Sequence, residues 1–313
     1  MLGRRNLRIK VMQTLYSWEI DQETPLVKLE GYLKGQIEKS ISLYLTNLVY
    51  LIEVCEYANA DSAQRKTKFI KTEEDENAST TIASNAIVKF LQTDEYFNDS
   101  VKKAGIRNYV TGEIVKELFT DLSSKPKYKE YTAIANPSLK DDKEIINFIL
   151  KKILSANKSL ESHLEEVFTN YDDDNSLLLH ILSKYVDAFD PEKKNNFFQN
   201  MDVWEDEKKF AFTLLAKTIQ QNEELIQYIE PKLKNWEMDR IAVLDLVLLK
   251  LAICELKYFP TIPVKVSINE YIDISKLYST PKSKDFVNGV LDKVKNEMIE
   301  KGEIKKFGRG LVE

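Results

Sequence analysis

Two short basic stretches carry the residues best suited to chemistry in this chain of 313 residues. The first, Gly3-Arg4-Arg5-Asn6-Leu7-Arg8-Ile9-Lys10, runs into a helix that continues through Tyr16 and Trp18. The second, Thr280-Pro281-Lys282-Ser283-Lys284, is a turn that presents two lysines beside Phe286. Cations next to flat rings suit single-stranded RNA, whose phosphates need neutralising and whose unstacked bases gain about 1–3 kcal/mol each on an aromatic face. The same residues also suit solvated helix ends above a core Phe286, and residue types alone favour that plainer reading.

Catalysis has little to work with. GxSxG, P-loop, GxGxxG, HExxH and CxxC patterns are all missing. Cys254 falls on a segment that reads as buried, which suits an inert core thiol. His163 and His180 are the two histidines, seventeen residues apart on separate predicted helices, and neither suggests an acid–base pair. With two cysteines and two histidines, neither a disulfide framework nor a metal site is expected, and no cofactor is. The expectation is a non-enzymatic protein of the cytoplasm.

Positioning these stretches falls to helices. Nine glycines and eight prolines are too few to punctuate a sandwich or barrel, so the expected class is all-α. Hydrophobic residues at 43% and charged residues at 30% describe a globular chain with a real core. The net charge of −5 hides an asymmetry: residues 1–20 carry +3, residues 260–313 carry +2, and the middle holds −10. An acidic total argues against nucleic acid, whereas the two ends argue for it. No apolar run is long enough for a membrane span; Ile241 to Cys254 is interrupted by Asp245 and Lys250.

Along the chain, Leu7, Val11, Leu15 and Trp18 set one buried stripe, and Leu26 to Tyr57 reads as a long helix or a pair. Residues 59–81 lose the period and read as a solvated loop. Weaker helices follow near 82–92, 94–104 and 107–121, then stronger ones around Ile145–Leu154, Leu160–Phe168 and Leu177–Phe189. Residues 144–182 share eight identities with 209–247, which fits either a duplication or two unrelated leucine-rich hairpins. Phe210–Gln221 and Leu225–Leu233 form a hairpin, and Asp239 is placed to cap a helix Arg240–Tyr258. Pro263 opens the next helix with Val264, Ile268, Tyr271 and Ile272 inward. The last helix, Lys284 to about Glu297, buries Phe286, Val287, Val290, Leu291 and Val294, and its Gly289 implies close helix packing.

At the level of motifs the balance shifts. Val264-Lys265-Val266-Ser267-Ile268-Asn269-Glu270, followed by Ser283-Lys284-Asp285-Phe286-Val287-Asn288-Gly289-Val290-Leu291-Asp292-Lys293, strongly resembles the transcription antitermination family NusB. Arg4-Arg5, Arg8 and Gln13-Thr14-Leu15-Tyr16-Ser17-Trp18 resemble that family's opening helix, so the likeness covers about 1–18 and 205–295. It implies an α-helical protein that binds boxA-type RNA with NusE, a ribosomal small-subunit protein, within the RNA polymerase antitermination complex on ribosomal RNA operons. It implies RNA contacts at Arg4, Arg5, Arg8, Lys282, Ser283, Lys284 and Phe286, with Tyr16 a lesser candidate, and a NusE face around Asp245. Asn288 and Gly289 are expected to fix the last helix.

This sequence departs from the family in three places. Asn6 stands where the family commonly has arginine, and Lys282, Lys284 and Asp285 replace a differently charged loop. About 185 residues separate the opening helix from the hairpin. The resulting organisation is an opening helix over 1–20, a helical extension or insertion over 21–203, a NusB-like domain over 204–297 and a basic tail over 298–313. Two alternatives are a helical interaction scaffold built on the middle region and an accessory to ribosomal RNA modification. The second of these lacks a Gly-rich cofactor loop.

Overall fold

Every regular element among the described residues is a helix, in keeping with the scarcity of glycine and proline. The structure is a computed structural model that describes residues 3–76, 78–192, 201–233 and 241–307. In chain order the helices are α1 (Arg4–Ile20), α2 (Leu26–Lys66), α3 (Glu73–Glu76), α4 (Ala86–Thr93), α5 (Glu95–Lys103), α6 (Gly112–Ser124), α7 (Pro126–Thr132) and α8 (Leu139–Phe148). They continue as α9 (Lys158–Val167), α10 (Tyr171–Ala188), α11 (Met201–Gln220), α12 (Asn222–Ile229), α13 (Val243–Tyr258), α14 (Val264–Tyr278) and α15 (Ser283–Glu300). The chain packs as two units, one of Leu2–Ile37 with Val203–Glu313 and one of Glu38–Asp202. No helix among the described residues is long and apolar enough to cross a membrane.

In the unit of Leu2–Ile37 with Val203–Glu313, α13 is the centre, with α1, α12, α14 and α15 packed on it. Val247 through Leu256 are all buried, the expected place for a helix that is apolar all round. Each of its fully buried leucines contributes about 1.5–3 kcal/mol. Two charged residues share that interior: Lys250, whose Nζ meets Glu19 Oε1 at 2.6 Å, and Glu255. The helix begins at Val243 after Ala242, so the cap expected at Asp239 and the start expected at Arg240 lie outside the described residues. Asn235 and Trp236, which belong to the internal similarity, lie outside them too.

Two expectations for α14 and α15 need correcting. On α14 the buried residues are Ser267, Tyr271, Ile274 and Ser275, while Val264, Ile268 and Ile272 are half-buried. The helix is turned so that Ser267 and Tyr271 reach Glu255, a tertiary demand that hydrophobic spacing does not register. On α15, Val287, Val290, Leu291 and Val294 are buried as their spacing predicts, Phe286 is only half-buried, and Met298, beyond the expected end, is buried too. Gly289, however, is exposed, and a Cβ placed there would meet nothing within 4 Å, so close packing does not explain it.

The expected basic tail begins as the end of α15 and then folds back. Tyr228 donates to the Glu303 carboxylate, and Lys306 Nζ donates to the carbonyls of Glu255 at 3.0 Å and Phe259 at 2.9 Å. Both carbonyls also accept backbone N–H groups, Glu255 from Phe259 and Phe259 from Ile262, so Lys306 is an added donor at the end of α13. Burial lowers the Lys306 amine to about 8.

The second unit holds the rest of α2 with α3 to α10. The loop expected from residue 59 starts later, because α2 runs on to Lys66. Small Ala58 and Ser62 are buried on one side of that stretch, and Arg65 pairs with Asp61 at 2.7 Å one turn back. Side-chain caps begin several helices here: Asn85 for α4, Asp94 for α5, the Ser138–Asp141 box for α8 and Asn157 for α9. After Phe148 the helix widens into a π-helical turn, Ile149–Leu154, which turns Ile149, Leu150, Ile153 and Leu154 all inward.

Candidate nucleic-acid interface

The opening turn of α1 carries the three arginines to different ends. Arg4 and Arg5 are exposed at the side-chain level, yet each already meets carboxylates. Arg4 Nε donates to Glu207 at 3.0 Å. Arg5 grips Glu270 with two hydrogen bonds of 2.8 and 2.9 Å and reaches Asp273 at 3.1 Å. A phosphate meeting this arm therefore has to displace carboxylates, and exposed pairs of this kind are worth only about 0–1 kcal/mol each.

Arg8 is different. Only 2% exposed, it donates from Nε and Nη2 to the two oxygens of Glu255 at 2.8 and 2.7 Å. Its guanidinium lies over the rings of Phe210 and Tyr271, with 5.2 and 5.8 Å to the centroids. Burial alone would lower the Arg8 pKa, but the hydrogen bonds and charge of Glu255 outweigh it and raise it. Ser267 Oγ at 2.6 Å and Tyr271 Oη at 3.0 Å also donate to Glu255. Four donors on one enclosed carboxylate tie α1, α13 and α14 together. The expectation that Arg8 is an RNA contact gives way to this role, because its fork is spent inside the protein. Asn6, also buried, bears on packing rather than on phosphate.

Asp245 likewise turns inward. It is 5% exposed and accepts from Ser279 Oγ at 2.6 Å and Ser283 Oγ at 2.7 Å. Thr280 Oγ1 stands 2.8 Å from Ser283 Oγ. The partner face expected at Asp245 and the RNA contact expected at Ser283 therefore become a clamp beneath the turn that joins α14 to α15. That clamp holds Lys282 and Lys284 outward, both exposed, and among the described residues neither is held by a carboxylate. Phe286 is half-buried on the first full turn of α15. Tyr16 is 40% exposed, about 17 Å along the α1 axis from Arg5.

Sequence spacing places Arg8, Ser267 and Tyr271 on separate helices and does not join them to Glu255. A glutamate on the inward period of an apolar helix was the available signal, since a buried charge requires partners. Elsewhere, Cys254 is fully buried and its thiol is pushed up to about 12, chiefly by burial, which keeps it protonated. A cleft of about 730 Å³ in the second unit is lined by Asp61, Arg65, Tyr128 and Lys129 among others.

The sequence profile of the NusB family matches residues 176–296, which include the lysine turn and Glu255 with Ser267 and Tyr271, but not α1 with Arg8. The chain is 45% identical over 106 residues to transcription antitermination protein NusB of Chloroherpeton thalassium, covering 34% of this chain and 50% of that one. It is 44% identical over 105 residues to the protein of that name from Salinibacter ruber, covering 34% and 66%. With that from Listeria monocytogenes it shares 42% identity over 97 residues, covering 31% and 76%. The chain thus spans between half and two thirds of the length of the first two. No solved structure matches it.

Proposed function

Because this chain belongs to the NusB family, we propose that it is a non-enzymatic, RNA-binding transcription antitermination factor of the cytoplasm. It takes boxA-type RNA together with the ribosomal protein NusE, within the antitermination complex of RNA polymerase on ribosomal RNA operons. The observation that carries this reading is the lysine turn: Lys282 and Lys284 stand exposed beside Phe286 on a loop locked from beneath by Asp245. Clamped cations lose little freedom on meeting a phosphate, and the neighbouring ring offers a face to a base. Arg4, Arg5 and Tyr16 extend the surface along α1, with the arginines exchanging Glu207, Glu270 and Asp273 for phosphate. Arg8, Ser283 and Asp245 support it from inside, and the NusE contact falls on other side chains than Asp245.

The test is cooperative binding. A boxA-type oligonucleotide should bind more tightly than a scrambled one, and NusE should tighten it by about 5–150-fold, with RNA tightening NusE by the same factor. Equal binding of both oligonucleotides, unchanged by NusE, would contradict the proposal.

A further inference from the structure

Phe69 and Ile70 are the most exposed large apolar side chains among the described residues, at 103% and 82%, and they are consecutive. They form the tip of the loop between α2 and α3 in the unit of Glu38–Asp202. Single exposed apolar residues are ordinary, whereas a contiguous apolar projection is what a contact site presents. This one is held at its base. Buried Asp75 accepts from Lys68 Nζ at 2.7 Å on one oxygen, and from the N–H and hydroxyl of Thr72, both at 3.0 Å, on the other. Thr67 Oγ1 donates back to the Gln64 carbonyl at 2.7 Å. A tip fixed on both sides loses little further freedom when a partner closes over it.

Charge narrows the partner. Residues 65–71, Arg-Lys-Thr-Lys-Phe-Ile-Lys, hold four cations and no acid, and Lys66 and Lys71 are exposed before and after the tip. Exposed Glu73 and Glu76 follow at once. A uniformly anionic surface, whether an RNA backbone or an acidic lipid layer, would be repelled by these glutamates as it approached the lysines. Ile70 also gives a stacked base no flat face. A protein can set carboxylates opposite the lysines and leave them out opposite the glutamates. It also finds a recess beside the projection, because the cleft of about 730 Å³ is lined by Arg65 and Glu73, which flank the loop, together with Phe119 and Tyr128.

We propose that the loop 67–72 is a docking projection for another protein, one whose surface offers an apolar pocket rimmed by Asp and Glu side chains. Phe69 and Ile70 fill the pocket as anchors, and Lys66 and Lys71 face the acidic rim. This gives the middle of the chain a role of its own, independent of RNA binding at the lysine turn.

The experiment places the photoreactive residue p-benzoylphenylalanine at position 69 of the full-length chain and irradiates it in an extract of the cells that make it. Mass spectrometry identifies the cross-linked molecule and maps the point of attachment. That point should lie in a protein segment where apolar residues are flanked by Asp or Glu. Binding of the purified partner to the full-length chain is then titrated. Phe69→Ala should weaken it about tenfold, and Lys66→Glu with Lys71→Glu about a hundredfold. Val27→Ala, which trims an equally exposed apolar side chain elsewhere, should leave it unchanged. All of these variants should melt as the unchanged chain does, because the side chains are exposed. Attachment to RNA, to lipid, to a protein segment without flanking acids or to no macromolecule would overturn the proposal. So would a partner that binds the Phe69→Ala chain as tightly as the unchanged one.

Discussion

Glu255→Ala should destabilise the unit built around α13 by about 3–5 kcal/mol, because it strands a buried guanidinium. Arg8 would keep its place over Phe210 and Tyr271 with both its hydrogen bonds to Glu255 lost and only Glu270, 3.8 Å from Nη1, as a distant carboxylate. Ser267 and Tyr271 would lose the same acceptor. For a unit of this size the loss corresponds to a fall in melting temperature of roughly 10 °C. Replacing the pair together, Arg8→Met with Glu255→Leu, should recover much of that loss, because no unpaired charge remains. Denaturant or thermal unfolding of the single and double variants checks both statements. Equal damage from both would show that shape rather than charge holds the site.

Asp245→Ala should act on binding as well as on folding. Its two serine hydroxyls can turn to each other or to water, so the stability cost is about 1–3 kcal/mol, the range for hydroxyls that lose a buried partner. The turn they anchor would be released, and Lys282 and Lys284 with it. RNA affinity should fall about tenfold, and the salt dependence should flatten by about 1.4 in log–log slope, 0.7 for each lysine no longer held in place. Asp245→Asn keeps one acceptor oxygen and should fall between the two. A binding titration at several salt concentrations separates this from a partner-contact role, in which RNA binding alone would be untouched.

Much of this architecture is legible in the residues themselves. Helix follows from the glycine and proline count and from the 3.6 period, and the core faces of α1 and α15 follow from Leu7, Val11, Leu15, Val287, Leu291 and Val294. Lys282 and Lys284 are legible as exposed cations because a Ser/Thr/Pro turn has nowhere to bury them. What escapes is whatever depends on a partner distant in sequence. Arg8 and Arg5 look alike three residues apart, and only the fold places buried Glu255 against one and the more exposed Glu270 and Asp273 against the other. Asp245 reads as a surface acid until Ser279 and Ser283 are brought over it. The π-helical turn at Ile149–Leu154 and the run of α2 to Lys66 are of the same kind: packing and one local ion pair outweigh weak local signals.

The most direct measurement of the central claim is the affinity of the intact chain for a boxA-type oligonucleotide as salt rises from about 50 to 200 mM. If the arm and the lysine turn together neutralise about four to six phosphates, log affinity should fall against log salt with a slope of roughly −3 to −4. Lys282→Ala and Arg5→Ala should each reduce that slope by about 0.7. A flat response in the intact chain, or slopes unchanged in both variants, would contradict the account.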